Sequence, residues 1–148
     1  MGPTKKGKGN KIMAICDSQS LPVSVSLYCA TPHEVTLVED TVDACLTDDL
    51  PDKMIGDGAF DSDELDTRLA ERGIQMIAPH RKNRVKPVTQ DGRVLRRYKR
   101  RWKIERFFAW LQSFRRIRTR DEVYACNYEG MVHLGCIVIL MRELCRFF

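Results

Sequence analysis

The chain has 148 residues, 43% apolar and 30% charged, which excludes a disordered or fibrous protein and suffices for one buried core. Its net charge of +5 is a sum of unequal parts: 7 Lys/Arg against 14 Asp/Glu in residues 1–80, 16 against 2 in residues 81–120, and 2 against 4 in residues 121–148. A 40-residue block at +14 beside an acidic half at −7 favours a polyanionic partner over a small neutral ligand.

The first ten residues are basic and Gly-bearing with no apolar stretch long enough for a signal peptide, and residues 4–10 read as a loose lead-in. Residues 11–16 and 21–29 are apolar runs, the second alternating Val23, Val25 and Leu27 with Ser24, Ser26 and Tyr28. That period of two, around the polar turn Asp17-Ser18-Gln19-Ser20, predicts a hairpin. Val35, Val38, Val42 and Leu46 recur at helical spacing after Thr31-Pro32, so a helix is expected there. Residues 53–56 form a short buried strand running into Asp57-Gly58-Ala59-Phe60-Asp61-Ser62. Ser62, followed by Asp63 and Glu64, caps a helix that ends at Gly73. Residues 74–78 form another strand, stopped by Pro79, and a basic loop or loosely held arm follows to Arg93. Residues 94–118 predict one long basic helix, with Ile104, Phe107, Phe108, Leu111, Phe114 and Ile117 on its core side. Residues 121–148 carry a further helical pattern; its run 131–141 contains His133, stops before Arg142 and is too short to span a bilayer, so a buried helix is expected. The order β-β-α-β-α-β-α-α implies an α/β domain with a small mixed sheet.

The six cysteines include no Cys-x-x-Cys pair, and nothing signals secretion, so reduced and mostly buried thiols are expected. Cys29 with His33, or His133 with Cys136, would need a second pair at suitable spacing to make a zinc site, and none occurs.

Two acids stand out. Asp57 follows a strand in an α/β pattern, at the end where such sheets open onto ligands, and its flanking glycines would let a ligand come close. Asp-Gly is equally a common turn or cap pair. Glu105 is the sole acid between Asp91 and Asp121, amid Arg100, Arg101, Lys103 and Arg106. It could relieve helix charge through i,i±4 pairing. Yet Tyr98, Arg101 and Gln112 share its helix face, and a carboxylate ringed by phosphate-seeking groups suits a metal-dependent phosphodiester enzyme. Trp102 and Trp110 fall off the apolar stripe and either pack under the last helix or stack on a base.

On these residues the chain resembles the C-terminal part of a DDE-type insertion-sequence transposase. The match runs through Gly7-Lys8-Gly9-Asn10-Lys11-Ile12, Thr31-Pro32-His33-Glu34-Val35, Ile55 to Ser62, Ala78 to Arg84, and Arg96 to Leu111. The family signature Tyr, two residues, Arg, three residues, Glu, six residues, Lys is met by Tyr98, Arg101 and Glu105, with Gln112 where the Lys would stand. The resemblance implies a ribonuclease-H-like α/β fold, a mixed sheet flanked by helices and lacking its first strand. Residues 1–148 would then form one catalytic domain, truncated at its N-terminus, without the first of three catalytic acids.

The same resemblance implies roles for particular residues. Asp57 and Glu105 would be catalytic and hold Mg²⁺ or Mn²⁺ in a two-metal arrangement, while Arg97, Tyr98, Arg101, Lys103 and Gln112 would contact double-stranded DNA at transposon ends and target. Asp17 reads as a turn residue rather than a substitute acid, and Asp61 as a lead-in to the next helix. The implied protein is cytoplasmic and nucleoid-associated, of bacterial type, open to homo-oligomer formation, with no membrane and no small-molecule substrate. The chain would be catalytically impaired; the competing readings are a non-catalytic DNA-binding or regulatory fragment, and an unrelated basic-helix protein binding nucleic acid.

Overall fold

Alternation of side chains decides the architecture. In the computed structural model, which describes residues 2–4, 7–89 and 91–146, strand β2 (Gly7–Cys16) pairs antiparallel with β3 (Pro22–Cys29). Met13 and Ile15 of β2 point into one apolar cluster, Ile12, Ala14 and Cys16 into another, as a period of two requires. Both faces of the hairpin are therefore covered. On one side pack α1 (Val38–Asp43) and α2 (Asp63–Glu71), through Val38, Val42, Leu65 and Leu69. On the other pack α4 (Trp102–Gln112), α5 (Arg115–Arg118) and α6 (Ala125–Leu144), through Phe107, Leu111, Ile117, Val132 and Ile139. Leu65, Leu69, Phe107 and Leu111 are fully buried, each contributing about 1.5–3 kcal/mol by removal from water.

The expected hairpin is present, and its turn is built by Asp17, whose Oδ1 accepts the Gln19 and Leu21 amides at 2.7 and 2.8 Å. Ser20 sits there at a φ of 74°. The lead-in is more ordered than expected: β2 already starts at Gly7, and a short β1 (Gly2–Thr4) pairs with its first residues. After Pro32 the expected helix divides into a 3₁₀ turn, Glu34–Leu37, and the six-residue α1. Ser62 does cap α2, and Gly73, at a φ of 77°, does end it.

The single mixed sheet is not formed. Strands β4 (Lys53–Ile55) and β5 (Gln75–Ile77) make a separate two-stranded parallel sheet, while β1, β2 and β3 make an antiparallel one. No described strand bridges β2 and β4; side chains of both line shared cavities instead.

The long basic helix is broken as well. It comprises α3 (Gly92–Leu95), a 3₁₀ stretch Arg96–Arg101, then α4 and α5. Six consecutive residues without an acid give the 3₁₀ stretch no internal ion pair to favour α-geometry. At the other end the Ser113 hydroxyl donates to the Trp110 carbonyl at 2.7 Å, and Phe114 turns extended. Helix α6 is only half-buried, with Leu134, Ile137, Met141 and Leu144 at least half exposed. Gly135 is its contact point: a Cβ there would lie 2.6 Å from Ile117 Cδ1. Among the described residues no helix is long and apolar enough to cross a membrane. All six thiols are unpaired, but Cys136 alone is buried, contrary to the expectation that most would be.

Candidate active site

Asp57 leaves the end of β4 as the cap of a 3₁₀ turn, Gly58–Phe60, with Oδ1 accepting the Ala59 amide at 2.8 Å. The turn reading of this residue is thus correct, and it leaves Oδ2 without a hydrogen-bond partner among the described residues. Gly56 serves packing rather than ligand approach, because a Cβ there would collide with Met76 Cε and lie 2.7 Å from Phe60 Cδ2. Gly58 is freer, its Cβ position being 3.4 Å from the Pro79 carbonyl oxygen.

Glu105 lies in the first turns of α4, where Arg101 Nη2 donates to its Oε1 at 2.5 Å, the i,i+4 pair that spacing suggested. Arg101 also lies 5.5 Å from the Tyr98 ring centroid, so Tyr98, Arg101 and Glu105 form one contiguous group. Arg106 is held between Trp102 and Trp110, at 4.8 and 4.9 Å from their rings, and donates to Ser20 Oγ and the Gln19 carbonyl. Lys103 donates to the Ser18 carbonyl. These contacts fasten α4 to the β2–β3 turn and so set where Glu105 stands. Trp110 is half-buried in the core, whereas Trp102 stays about half exposed over Arg106.

The two acids meet. Asp57, Arg101 and Glu105 line one cavity of about 430 Å³ between β2, β4 and α4. Arg97, Arg101 and Lys103 line a neighbouring cavity of about 330 Å³, with Lys53 and Arg100. Gln112 is exposed at the far end of α4 and lines neither. A larger cavity of about 570 Å³ between α2, β5 and α3 contains none of the expected residues.

Carboxylate oxygens are hard donors, and Mg²⁺ is commonly held by one or two of them with water and phosphate completing its shell. Asp57 and Glu105, each with one oxygen free of protein hydrogen bonds among the described residues, fit that donor set. Among the described residues no three His, Cys, Asp or Glu side chains converge as an ion site, so a two-ion arrangement finds no third ligand there. The cysteine–histidine pairs form no site either; His133 faces the Val25 carbonyl instead.

A second constellation lies outside the residues that the sequence nominates. The Asp61 side chain is 4% exposed and binds three groups of the loop after Pro79: His80 Nδ1 at 2.8 Å, Arg84 Nη1 at 2.8 Å and the Arg81 amide at 2.8 Å. Arg84 continues to Asp63 at 2.6 Å. Burial pushes the Asp61 carboxyl up, but the Arg81 amide, His80 and Arg84 outweigh it and hold it below the ordinary aspartate range. The loop is therefore anchored, not loosely held. No local sequence signal marks it, because Asp61 sits among other acids and its partners lie 19 to 23 residues away, beyond any local spacing rule.

Comparison with known proteins identifies the family to which the chain belongs. The family model described as the transposase DDE domain matches residues 2–137. A transposase for insertion sequence element IS402 of Burkholderia cepacia is 29% identical over 97% of this chain and 69% of its own length. A transposase for insertion sequence element IS6501 of Brucella ovis is 36% identical over 60% of this chain and 67% of its own. No solved structure matches. The mixed α/β build is compatible with the ribonuclease-H-like fold of such domains. The chain belongs to the DDE transposase family, among the transposases of insertion-sequence elements.

Proposed function

We propose that this chain acts in DNA transposition by metal-dependent strand cleavage and strand transfer, with Asp57 and Glu105 as ligands of Mg²⁺ or Mn²⁺. One observation carries the reading: two acids 48 positions apart in sequence line one cavity beside Arg101. A divalent ion held by Asp57 and Glu105 would supply Lewis acidity to the phosphodiester and to the attacking water. The Ala59 amide keeps Asp57 oriented, and Arg101 steadies Glu105 while facing both cavities. Arg97, Lys103 and Tyr98 position the DNA backbone along the 3₁₀ stretch and α4, and Gln112 contacts a more distant phosphate. Water attacks phosphorus in line and gives up a proton to solvent, while the bond to the 3′ oxygen breaks and that oxygen takes up a proton. The freed 3′-hydroxyl, losing its proton in turn, attacks a target phosphodiester, whose own bond to its 3′ oxygen breaks.

A second reading, DNA binding without chemistry, is favoured by the lack of a third converging ligand among the described residues. A nicking assay on element-end DNA in Mg²⁺ or Mn²⁺ separates the two. Cleavage that disappears in Glu105→Gln supports the catalytic reading. Binding that weakens steeply with salt, without cleavage, supports the second.

A further inference from the structure

We propose that Arg81 is a positioning residue for Asp57, acting through the backbone of the turn that carries it; the inference rests on Asp57 being a metal ligand. Arg81 Nε donates to the Gly58 carbonyl at 2.9 Å and Nη2 to the Ala59 carbonyl at 2.6 Å. Ala59 is the residue whose amide holds Asp57 Oδ1. One planar guanidinium thus grips two successive carbonyls of the peptide segment that aims the carboxylate. Such a fork fixes orientation in a way that a point charge cannot.

Arg81 is itself fixed from behind. Its amide binds Asp61 Oδ2, and the other oxygen of Asp61 is shared by His80 and Arg84. Arg84 also reaches the Pro87 carbonyl and Asp63, and the Thr89 amide meets His80 Nε2. The loop is therefore fastened without the Arg81 side chain, which is exposed and spends its hydrogen bonds on the Asp57 turn. The direction of influence is from Asp61, through Arg81, to the Gly58 and Ala59 carbonyls, and so to Asp57.

The test uses the whole chain and Mn²⁺ as the probe, read by electron paramagnetic resonance, with exchange of the Ala59 amide proton read by NMR. Arg81→Ala is expected to melt with the wild type, to expose the Ala59 amide to faster exchange, and to weaken Mn²⁺ binding roughly tenfold, as loss of groups that orient metal ligands commonly does. Arg81→Lys is expected to recover part of the affinity, since lysine can reach one carbonyl but not fork across two. Unchanged Ala59 exchange in Arg81→Ala overturns the inference. So does a fall in melting temperature as large as that of Asp61→Ala, which would make Arg81 a structural clamp. Asp57→Asn distinguishes the two layers: if it leaves Mn²⁺ affinity intact, the metal-ligand reading fails, and Ala59 exchange alone then decides whether Arg81 positions the turn.

Discussion

The two acids of the candidate site are held in opposite ways. Asp57 belongs to the acidic half and is aimed by backbone: an amide on its own carboxylate, carbonyls gripped by Arg81, and behind them an Asp61 side chain that is almost wholly buried. Glu105 belongs to the basic block and is half exposed, held by one guanidinium a helical turn away. The difference shows how a chain with a −7 half and a +14 block can present two carboxylates to one cavity. Where acids are plentiful, direction comes from hydrogen-bond geometry. Where cations are plentiful, it comes from charge, and the helix bearing that charge is located by packing.

Breaking the packing should matter most. Phe107→Ala, on the buried face of the Glu105 helix, is expected to cost about 3–5 kcal/mol, and Leu65→Ala behind the Asp57 half about 2–5 kcal/mol, in urea unfolding. If Phe107→Ala were neutral, core packing would not be what locates α4. Gly56→Ala should cost about 1–3 kcal/mol, because the added methyl must displace Phe60 and Met76. Removing Arg101 should change folding stability by under about 1 kcal/mol, since its pair with Glu105 is exposed, yet weaken DNA binding and reduce its salt dependence.

Acid separates the two regions further. The folded pKa of Asp61 lies below its unfolded value, so unfolding takes up a proton and the stability from this group rises with pH. That stability is fully present above the unfolded aspartate value of about 3.9 and is lost as pH falls through the depressed folded value. Urea unfolding of wild type and Asp61→Asn between neutral pH and strong acid should therefore converge at the acidic end. Parallel curves throughout would mean that Asp61 is not the anchor of the loop. The smallest effect is chemical: burial raises the Cys16 and Cys136 thiols to about 11, so at mildly alkaline pH both should react with a thiol reagent more slowly than exposed Cys126 and Cys145.

Much of the fold was legible where the cause was local. Period two along β3, Asp17 in its turn, Ser62 before α2 and Gly73 after it all act within a few residues, and each element formed there. The i,i+4 pair of Arg101 and Glu105 was legible for the same reason. Position 114 was not, because the apolar spacing continues through Phe114 to Ile117 while the Ser113 hydroxyl and an extended Phe114 backbone end the helix. Nor was the division into two sheets, since strand pairing is a long-range outcome and β4 and β5 are three residues each. The anchoring role of Asp61 was hidden because it sits beside a genuine helix cap, whereas its partners lie beyond the next strand. Asp57 and Glu105 could be nominated from sequence, but only the fold brings them to one cavity.

The most direct measurement is a Mn²⁺ titration of wild type, Asp57→Asn, Glu105→Gln and the double variant. If one ion is shared, each single substitution should weaken binding strongly and the second should add little, a non-additive cycle. Additive effects, or a single variant that binds as the wild type does, would contradict a shared site.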